Sequence, residues 1–270
     1  MSLKLDRFDP ATQIPKHSII TVIGKRNTGK STMVKSLLYK LRDRVEFCLC
    51  FTPTASSAEA FAQVMPRACV YDKLDMEVID RLMAYQSDCA NRGKRLRSCC
   101  VLLDDCSWEA AHFKRPAPTL AQLYRNGRHL AIFVICVLQD GLDYHVGLRG
   151  QCDSVFMLRE GSLQMRKRLH SAYVPALTLP EFHSVMDAVT ENYGALVVSN
   201  TVQKNSPSEC LFWWRAKPAL PPFRFVSDVF YRLSERVVPP SEKAVAPQMP
   251  HRKGGVFVEA CGDDNTVVSA

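Results

Sequence analysis

The sequence predicts an α/β fold in which helices cover both faces of a mostly parallel sheet. Short runs of consecutive apolar residues alternate with longer segments whose apolar residues recur at helical spacing. A glycine-rich motif, Gly24–Ser31, connects the first strong apolar run to the first of these helical segments. Strands of parallel sheets are apolar throughout because helices bury them on both sides. A chain of 270 residues with this alternation is long enough for one large domain.

Three regions are predicted along the chain. Residues 1–16 are expected to form an arm without a helix, because Pro10 and Pro15 interrupt it. Residues 17–235 carry the strand and helix patterns and are predicted to form one α/β domain. From Val237 the composition changes to Pro, Ser, Lys and Gly without periodicity, which predicts a disordered tail over residues 236–270.

The glycine-rich motif matches G-x-x-x-x-G-K-[ST], the loop that wraps the phosphates of a nucleoside triphosphate. It lies between a predicted strand, Ile19–Ile23, and a predicted helix, Thr32–Leu41. Glycines let the backbone approach the phosphates, so that N–H groups and a helix N-terminus face the anion. The alternative is a glycine turn before an ordinary helix. The strand and helix on either side favour nucleotide binding.

Within and beside this loop, each residue type has a predicted task. Lys30 reaches the β- and γ-phosphates, and the Ser31 hydroxyl is a predicted ligand of Mg²⁺. ATP and Mg²⁺ are therefore the expected cofactors. Lys25–Asn27 add positive charge but have no assigned individual role. The predicted nucleotide-binding residues are Gly24, Lys25, Arg26, Asn27, Thr28, Gly29, Lys30, Ser31 and Thr32.

Further elements follow from apolar runs and helical periodicity. The predicted strands are Val45–Phe51, Cys69–Tyr71, Ser98–Leu103, Leu130–Leu138, Ser154–Leu158, and a C-terminal hairpin at the sheet edge made of Ala195–Val198 and Cys210–Arg215. The predicted helices are Ala55–Val64, Asp75–Asn91, Thr119–Arg128, Leu179–Asn192 and Phe225–Leu233, with a helix or turn over Asp140–Leu148.

Polar residues follow two of the apolar strands at positions suited to hydrolysis. Asp104 and Asp105 come directly after the run that ends at Leu103. Asp104 is predicted to hold Mg²⁺ through water, and Asp105 lies one residue further on, where an acid can polarise the attacking water. Gln139 ends the strand Leu130–Leu138, where an amide can sense the γ-phosphate or orient water.

Composition narrows the class of protein only slightly. The net charge of +8 and the pI of about 9.0 suit a polyanionic partner such as nucleic acid, but the sequence contains no RNA-recognition, helix-turn-helix or zinc-finger signature. The longest apolar run, Leu130–Leu138, is too short to span a bilayer. No signal peptide is recognisable, and none of the eleven cysteines forms a C-x-x-C pair. These features predict an intracellular protein with buried reduced thiols.

The ordered set of phosphate loop, Asp104–Asp105 and Gln139 resembles the FtsK–HerA superfamily of DNA-pumping P-loop NTPases, whose fold is RecA/FtsK-like. Further segments resemble the poxvirus-type group, the DNA-packaging ATPases of large double-stranded DNA viruses. These segments are Gly127–His129 ahead of the sensor strand, Leu148–Arg149 ahead of the next strand, and the late pair of strands Leu196–Val198 and Phe212–Ala216. The resemblance extends over residues 14–235.

This resemblance implies a homo-oligomeric ring, a pentamer or hexamer, that translocates double-stranded DNA into a capsid and contacts capsid vertex proteins. Such a protein is expected in the virion and in the host-cell cytoplasm or virus factory. The same resemblance assigns Asp104 to magnesium, Asp105 to catalysis and Gln139 to γ-phosphate sensing. It also implies an arginine donated to the neighbouring subunit, for which Arg128 and Arg149 are both candidates. Asp105 stands where many superfamily members carry glutamate.

Two other functions are compatible with these motifs. A cellular or conjugation-type DNA translocase would use the same chemistry on another cargo. A nucleotide-dependent switch or scaffold would bind ATP without useful turnover. Asp105 and Gln139 argue against the switch, because a switch does not need residues that position water.

Overall fold

The computed structural model describes residues 4–106, 116–143, 145–202 and 206–237. Within these residues, nine strands form one sheet in the order β1-β9-β8-β7-β2-β6-β5-β3-β4. The strands are β1 (Asp6–Arg7), β2 (Ile19–Ile23), β3 (Phe47–Phe51), β4 (Val70–Tyr71), β5 (Cys99–Asp104), β6 (Ile132–Leu138), β7 (Ser154–Met157), β8 (Gly194–Ser199) and β9 (Leu211–Arg215).

The sheet is parallel except at β8, which runs antiparallel to both β7 and β9. All other neighbouring pairs are parallel. The strand β2 lies between β6 and β7, so the loop that follows it has a strand end on each side. The predicted mostly parallel α/β fold is therefore confirmed.

Helices cover both faces of the sheet. The α-helices of the described residues are Pro10–Gln13, Lys30–Leu41, Ala55–Ala62, Met76–Asn91, Pro118–Asn126, Val146–Arg149, Leu163–Tyr173, Leu179–Val189, Pro207–Cys210 and Asp228–Val237. Asp75 caps Met76–Asn91 by accepting from the N–H groups of Glu77 and Val78. Thr178 and Glu181 form a capping box at the start of Leu179–Val189.

Alternate residues of each strand pack into two separate cores. Ile20 and Val22 face Leu37 and the other apolar residues of Lys30–Leu41. Ile19 and Ile23 belong to the second core, which includes residues of Met76–Asn91, Pro118–Asn126 and Leu179–Val189. This two-sided burial explains why the strands are apolar at nearly every position. Every described cysteine except Cys210 is buried in this framework.

The antiparallel pair predicted at the sheet edge is present as β8 and β9, but it does not form the edge. Outside it, the short strand β1 adds to β9 in parallel, with Asp6 opposite Phe212 and Arg7 opposite Trp213. The segment that follows β1 also packs on the sheet, because Phe8 and Ile14 are buried in the first core.

The prediction that residues 1–16 contain no helix is wrong. A short helix spans Pro10–Gln13, with Pro10 in its first turn and Asp9 as its N-cap. Proline is tolerated there because the first N–H groups of a helix have no partner within the helix. The Asp9 carboxylate accepts a hydrogen bond from the Ala11 N–H at 3.2 Å.

The sequence pattern also missed the helix Leu163–Tyr173. One predicted region lies outside what the structure tests. The predicted disordered tail falls outside the described residues from 238 onward.

Of the helices that are described, none has the length and apolar character needed to cross a membrane.

Candidate nucleotide-binding site

The phosphate loop leaves the sheet between two neighbouring strand ends. The Gly24 N–H donates to the carbonyl of Leu138 at 3.0 Å, and the Leu158 N–H donates to the carbonyl of Ile23 at 2.9 Å. The carboxyl ends of β2, β6 and β7 are thus held together at one edge. In open α/β sheets, ligands bind outside this carboxyl edge.

Two glycines of the loop are required by its geometry. Gly29 has φ +93° and is the N-cap of the helix Lys30–Leu41, a conformation that glycine adopts without strain. At Gly24, an added Cβ would lie 2.6 Å from Thr28 Oγ1. Thr28 Oγ1 in turn donates to the carbonyl of Lys25 at 2.7 Å. The loop therefore folds closely around its own backbone, as a phosphate-binding loop must.

Lys30 lies across the loop. Its Nζ donates to the carbonyls of Gly24 at 2.6 Å and Lys25 at 3.1 Å. Burial lowers the pKa of Lys30, and the nearby charges of Asp105 and Asp104 oppose that shift. The ammonium group is thus held inside the loop, next to the two carboxylates.

Asp104, the last residue of β5, is buried and accepts a hydrogen bond from Thr52 Oγ1 at 3.0 Å. Burial raises the pKa of Asp104, while hydrogen bonds from Thr52 and Ser57 act in the opposite direction. A carboxylate in these surroundings gains from a nearby divalent cation, because the cation offsets the cost of desolvating the charge.

Asp105 turns out of the strand into the cavity. Its φ is +53°, in the left-handed region that non-glycine residues seldom occupy. The Gln139 amide Nε2 donates to Asp105 Oδ2 at 2.5 Å. The two strand-end residues are therefore in direct contact, with the amide orienting the carboxylate.

One open cavity of about 750 Å³ brings these residues together. This volume lies within the range of pockets that bind small ligands and cofactors. The residues that line it include Lys25, Arg26, Asn27, Gly29, Lys30, Ser31, Thr32, Asp104, Asp105 and Gln139, together with Thr54, Ser56, Ser57 and Tyr193. Seven of the nine predicted nucleotide-binding residues thus face the same space as Asp104, Asp105 and Gln139.

The cavity fits a magnesium-bound nucleoside triphosphate. Lys25, Arg26 and Lys30 place positive charge beside a glycine-rich turn that leaves room for an anion close to the backbone. Ser31 and Asp104 provide a hydroxyl and a carboxylate, which are oxygen ligands of the type Mg²⁺ prefers.

Arg128 and Arg149 lie elsewhere. Arg128 Nη2 pairs with Asp153 Oδ1 at 3.1 Å, and the other Asp153 oxygen accepts from the Ile19 N–H at 2.8 Å. Because Ile19 begins β2, Arg128 lies at the amino edge of the sheet, opposite the cavity. Arg149 ends the short helix Val146–Arg149 and is partly exposed. Burial raises the pKa of Tyr173, and the positive charge of Arg149 opposes that rise. Neither arginine lines the cavity of its own chain.

Sequence reasoning missed two residues that contact the loop, Glu160 and Tyr193. Lys25 Nζ pairs with Glu160 Oε1 at 2.7 Å, and the same oxygen accepts from the Ser162 N–H at 2.7 Å. Glu160 is buried, so it fixes the start of the loop to the segment after β7. Only its place shortly after an apolar strand could have indicated it. The sequence gives no signal for Tyr193.

The nine-stranded, mostly parallel sheet with a glycine-rich loop after β2 is the fold of P-loop NTPases. No protein-family model matches the chain. The uncharacterized protein 088R of Invertebrate iridescent virus 3 is 31% identical over 201 residues, which cover 74% of this chain and 76% of that protein. The chain therefore belongs to the same family as protein 088R. The uncharacterized protein 015R of Frog virus 3 is 27% identical over 76% of this chain and 64% of its own length.

Solved structures share the fold at low sequence identity. The genome packaging NTPase B204 of Sulfolobus turreted icosahedral virus 2, in complex with AMP, aligns with a TM-score of 0.56 and 16% identity, over 77% of this chain and 100% of that chain. ATPases 2 and 3 of EssC from Geobacillus thermodenitrificans align with a TM-score of 0.53 and 14% identity, over 88% and 51% of the two chains.

Proposed function

We propose that this protein is an ATP-hydrolysing motor that works as a homo-oligomeric ring and translocates viral double-stranded DNA into a capsid. The observation that carries the proposal is the single cavity shared by the phosphate loop, Asp104, Asp105 and Gln139. A loop alone would indicate binding; a carboxylate held by a neighbouring amide beside that loop suits hydrolysis.

Each residue of the cavity has its own role in the proposed hydrolysis. Backbone N–H groups of Gly24–Thr32 and the ammonium of Lys30 bind the triphosphate and stabilise charge on the transferring phosphoryl group. Ser31 and, through water, Asp104 would hold Mg²⁺. When bound, Mg²⁺ neutralises phosphate charge and orients the phosphates. Asp105 accepts a proton from the attacking water, and Gln139 orients that carboxylate and contacts the γ-phosphate.

Relatives and charge support the DNA cargo. The family includes proteins of large DNA viruses, and a solved structure with this fold is named the DNA-packaging ATPase of Sulfolobus turreted icosahedral virus. The net charge of +8 suits a nucleic-acid partner. In this proposal the ring also contacts proteins of the capsid vertex.

ATP hydrolysis by the purified chain, measured with and without double-stranded DNA, tests the enzymatic half of the proposal. Lys30→Ala is expected to lower the rate by about 10²–10³-fold, because it removes a charge that stabilises the transferring phosphoryl group. Lys73→Ala, which removes an exposed lysine, is the matched control and should retain the parental rate. Equal rates for parent and Lys30→Ala would contradict the proposal.

Asp105→Asn separates a motor from a nucleotide switch. The variant is expected to bind ATP but to lose turnover, because an amide cannot accept the proton from water. If parent and variant both hydrolyse ATP at the same negligible rate, the switch is favoured.

Imaging the protein during capsid filling then tests the cargo: absence from the vertex would favour another DNA translocase.

A further inference from the structure

An aromatic ring lies against the phosphate loop on the side away from the carboxylates. Tyr193 precedes β8 and lines the nucleotide cavity. A Cβ added to Gly29 would lie 2.7 Å from Tyr193 Cδ1 and 3.3 Å from its Cε1, so the ring is in contact with the loop. The residue is nevertheless 43% exposed, which leaves part of the ring open to a ligand.

The strand order shows which end of a bound nucleotide would meet this ring. Asp104, Asp105 and Gln139 end β5 and β6, on one side of β2. Tyr193 immediately precedes β8, which lies two strands away from β2 on the other side. A triphosphate whose γ-phosphate faces Asp105 and Gln139 therefore directs its α-phosphate, ribose and base towards Tyr193.

The backbone holds the ring in this place. Asn192 and Tyr193 have φ values of +48° and +61°, two consecutive non-glycine residues in the left-handed region. The Tyr193 carbonyl accepts from the Ala216 N–H at 3.0 Å, and the Gly194 N–H donates to the Glu191 carbonyl at 2.8 Å. A Cβ at Gly194 would lie 2.0 Å from the Val189 carbonyl oxygen. A strained and closely packed turn thus fixes the position of an exposed aromatic side chain, a pattern found at functional sites.

We infer that the Tyr193 ring is the surface on which the base of the nucleotide stacks, so that it selects nucleoside triphosphates over base-free polyphosphates. The inference rests on the proposed nucleotide binding at the loop. Stacking uses the face of the base, which all bases share, and does not read the hydrogen-bonding edge. ATP and GTP are therefore expected to bind with similar affinity, and inorganic tripolyphosphate more weakly.

Calorimetric titration of the full chain with the magnesium complexes of ATP, GTP and tripolyphosphate tests this inference. Replacing the ring in Tyr193→Leu should weaken ATP and GTP about 5- to 150-fold, the range expected for one stacked base. Tripolyphosphate affinity should not change. Tyr193→Phe, which keeps the ring and removes only the hydroxyl, is the matched control and should bind as the parent does.

A second readout does not depend on comparing affinities. The triphosphate of 2-aminopurine riboside loses fluorescence when its base stacks on an aromatic ring. Binding should quench it with the parent and with Tyr193→Phe, but not with Tyr193→Leu. Thermal unfolding of each variant establishes that it is folded.

Failure of the inference is distinct from failure of the proposed function. If Tyr193→Leu weakens tripolyphosphate as much as ATP, the ring only supports Gly29, and the inference is overturned while phosphate binding stands. Equal affinity of the parent for ATP and tripolyphosphate also overturns it. If the parent binds none of these ligands, or if Lys30→Ala binds them as tightly, the proposed function itself fails.

Discussion

Burial of the Asp104 carboxylate lowers the stability of the ligand-free fold and favours the binding of a cation. Because burial raises its pKa, the folded protein keeps a proton that the unfolded chain releases over the pH range between the two pKa values. The contribution of the Asp104 carboxyl to stability is therefore fully present below its unfolded pKa. It is lost as the pH rises through its folded pKa. Above the folded pKa, the ionised carboxylate destabilises the ligand-free fold.

Asp104→Asn is expected to raise the free energy of unfolding at pH 7 relative to the parent, because the amide carries no charge to desolvate. The gain should shrink as the pH falls from the raised pKa of the folded protein to the usual carboxyl value, and should not change further below it. Chemical denaturation over a pH series measures this difference. Asp72→Asn, at an exposed position, controls for the loss of one negative charge. A gain that does not depend on pH would contradict the prediction.

The glycines of the loop differ in the reason that each is required. Gly29→Ala should combine backbone strain at φ +93° with a clash against Tyr193, and should abolish nucleotide binding. Gly93→Ala controls for strain alone, because Gly93 has φ +64° and open space around it. That control should cost about 1–2 kcal/mol of unfolding free energy.

Gly161→Ala, with open space and an ordinary φ, should be close to neutral. The double variant Gly29→Ala/Tyr193→Ala lacks the clashing ring. It should therefore recover part of the unfolding free energy that Gly29→Ala loses. Strict additivity of the two unfolding free energies would show that the ring and the loop are not coupled.

At the residue scale, strand ends could be predicted and turns could not. Asp104, Asp105 and Gln139 follow continuous apolar runs, and parallel strands bring such residues to one edge. The contacts of Glu160 and Tyr193 with the loop depend instead on how β7 and β8 pair and on a left-handed turn. Nothing in the sequence pattern specifies these features.

At the scale of elements, the strands were predicted best because two-sided burial makes them apolar throughout. The helix Leu163–Tyr173 was missed because it is largely polar: Arg166 and Leu169 are its buried residues. The buried Arg166 is satisfied by Asp187 at 2.6 Å and by the carbonyl of Glu160. A helix held by such ion pairs carries little hydrophobic periodicity to detect.

The segment before β2 contributes more to the stability of the fold than an unstructured arm would. Phe8 is buried, and its ring centroid lies 5.6 Å from those of both Phe156 and Phe212. Phe8→Ala should therefore lower the free energy of unfolding by about 3–5 kcal/mol, the usual cost of removing a buried aromatic ring. Denaturant titration measures the loss. Lys4→Ala, at an exposed position in the same segment, should change it little.

At the scale of the whole molecule, the cavity contains cations of the loop but neither of the two candidate trans arginines. Asp153 holds Arg128 at the opposite edge of the sheet. Arg128 is nevertheless 64% exposed, and Arg149 is partly exposed, so both arginines stay candidates to reach a neighbouring subunit in the proposed ring.

Mixing two inactive variants tests this arrangement. Rings of Lys30→Ala and Arg149→Ala subunits in equal amounts should recover about one quarter of the parental ATPase rate, because random assembly places an intact loop beside an intact arginine at that frequency. The same mixture with Arg128→Ala in place of Arg149→Ala is the comparison. No recovery with either arginine variant would contradict an intersubunit arginine.

The position of β2 has a mechanical consequence. In the described sheet it is the central strand, with β7, β8, β9 and β1 on one side and β6, β5, β3 and β4 on the other. A tensile load applied at either edge must cross four strand-to-strand ladders before it reaches Gly24–Ser31. Peeling an edge strand such as β4 would therefore relieve the load while the loop keeps its shape. The part of the sheet next to the proposed phosphate site is thus the part farthest from a load applied at either edge.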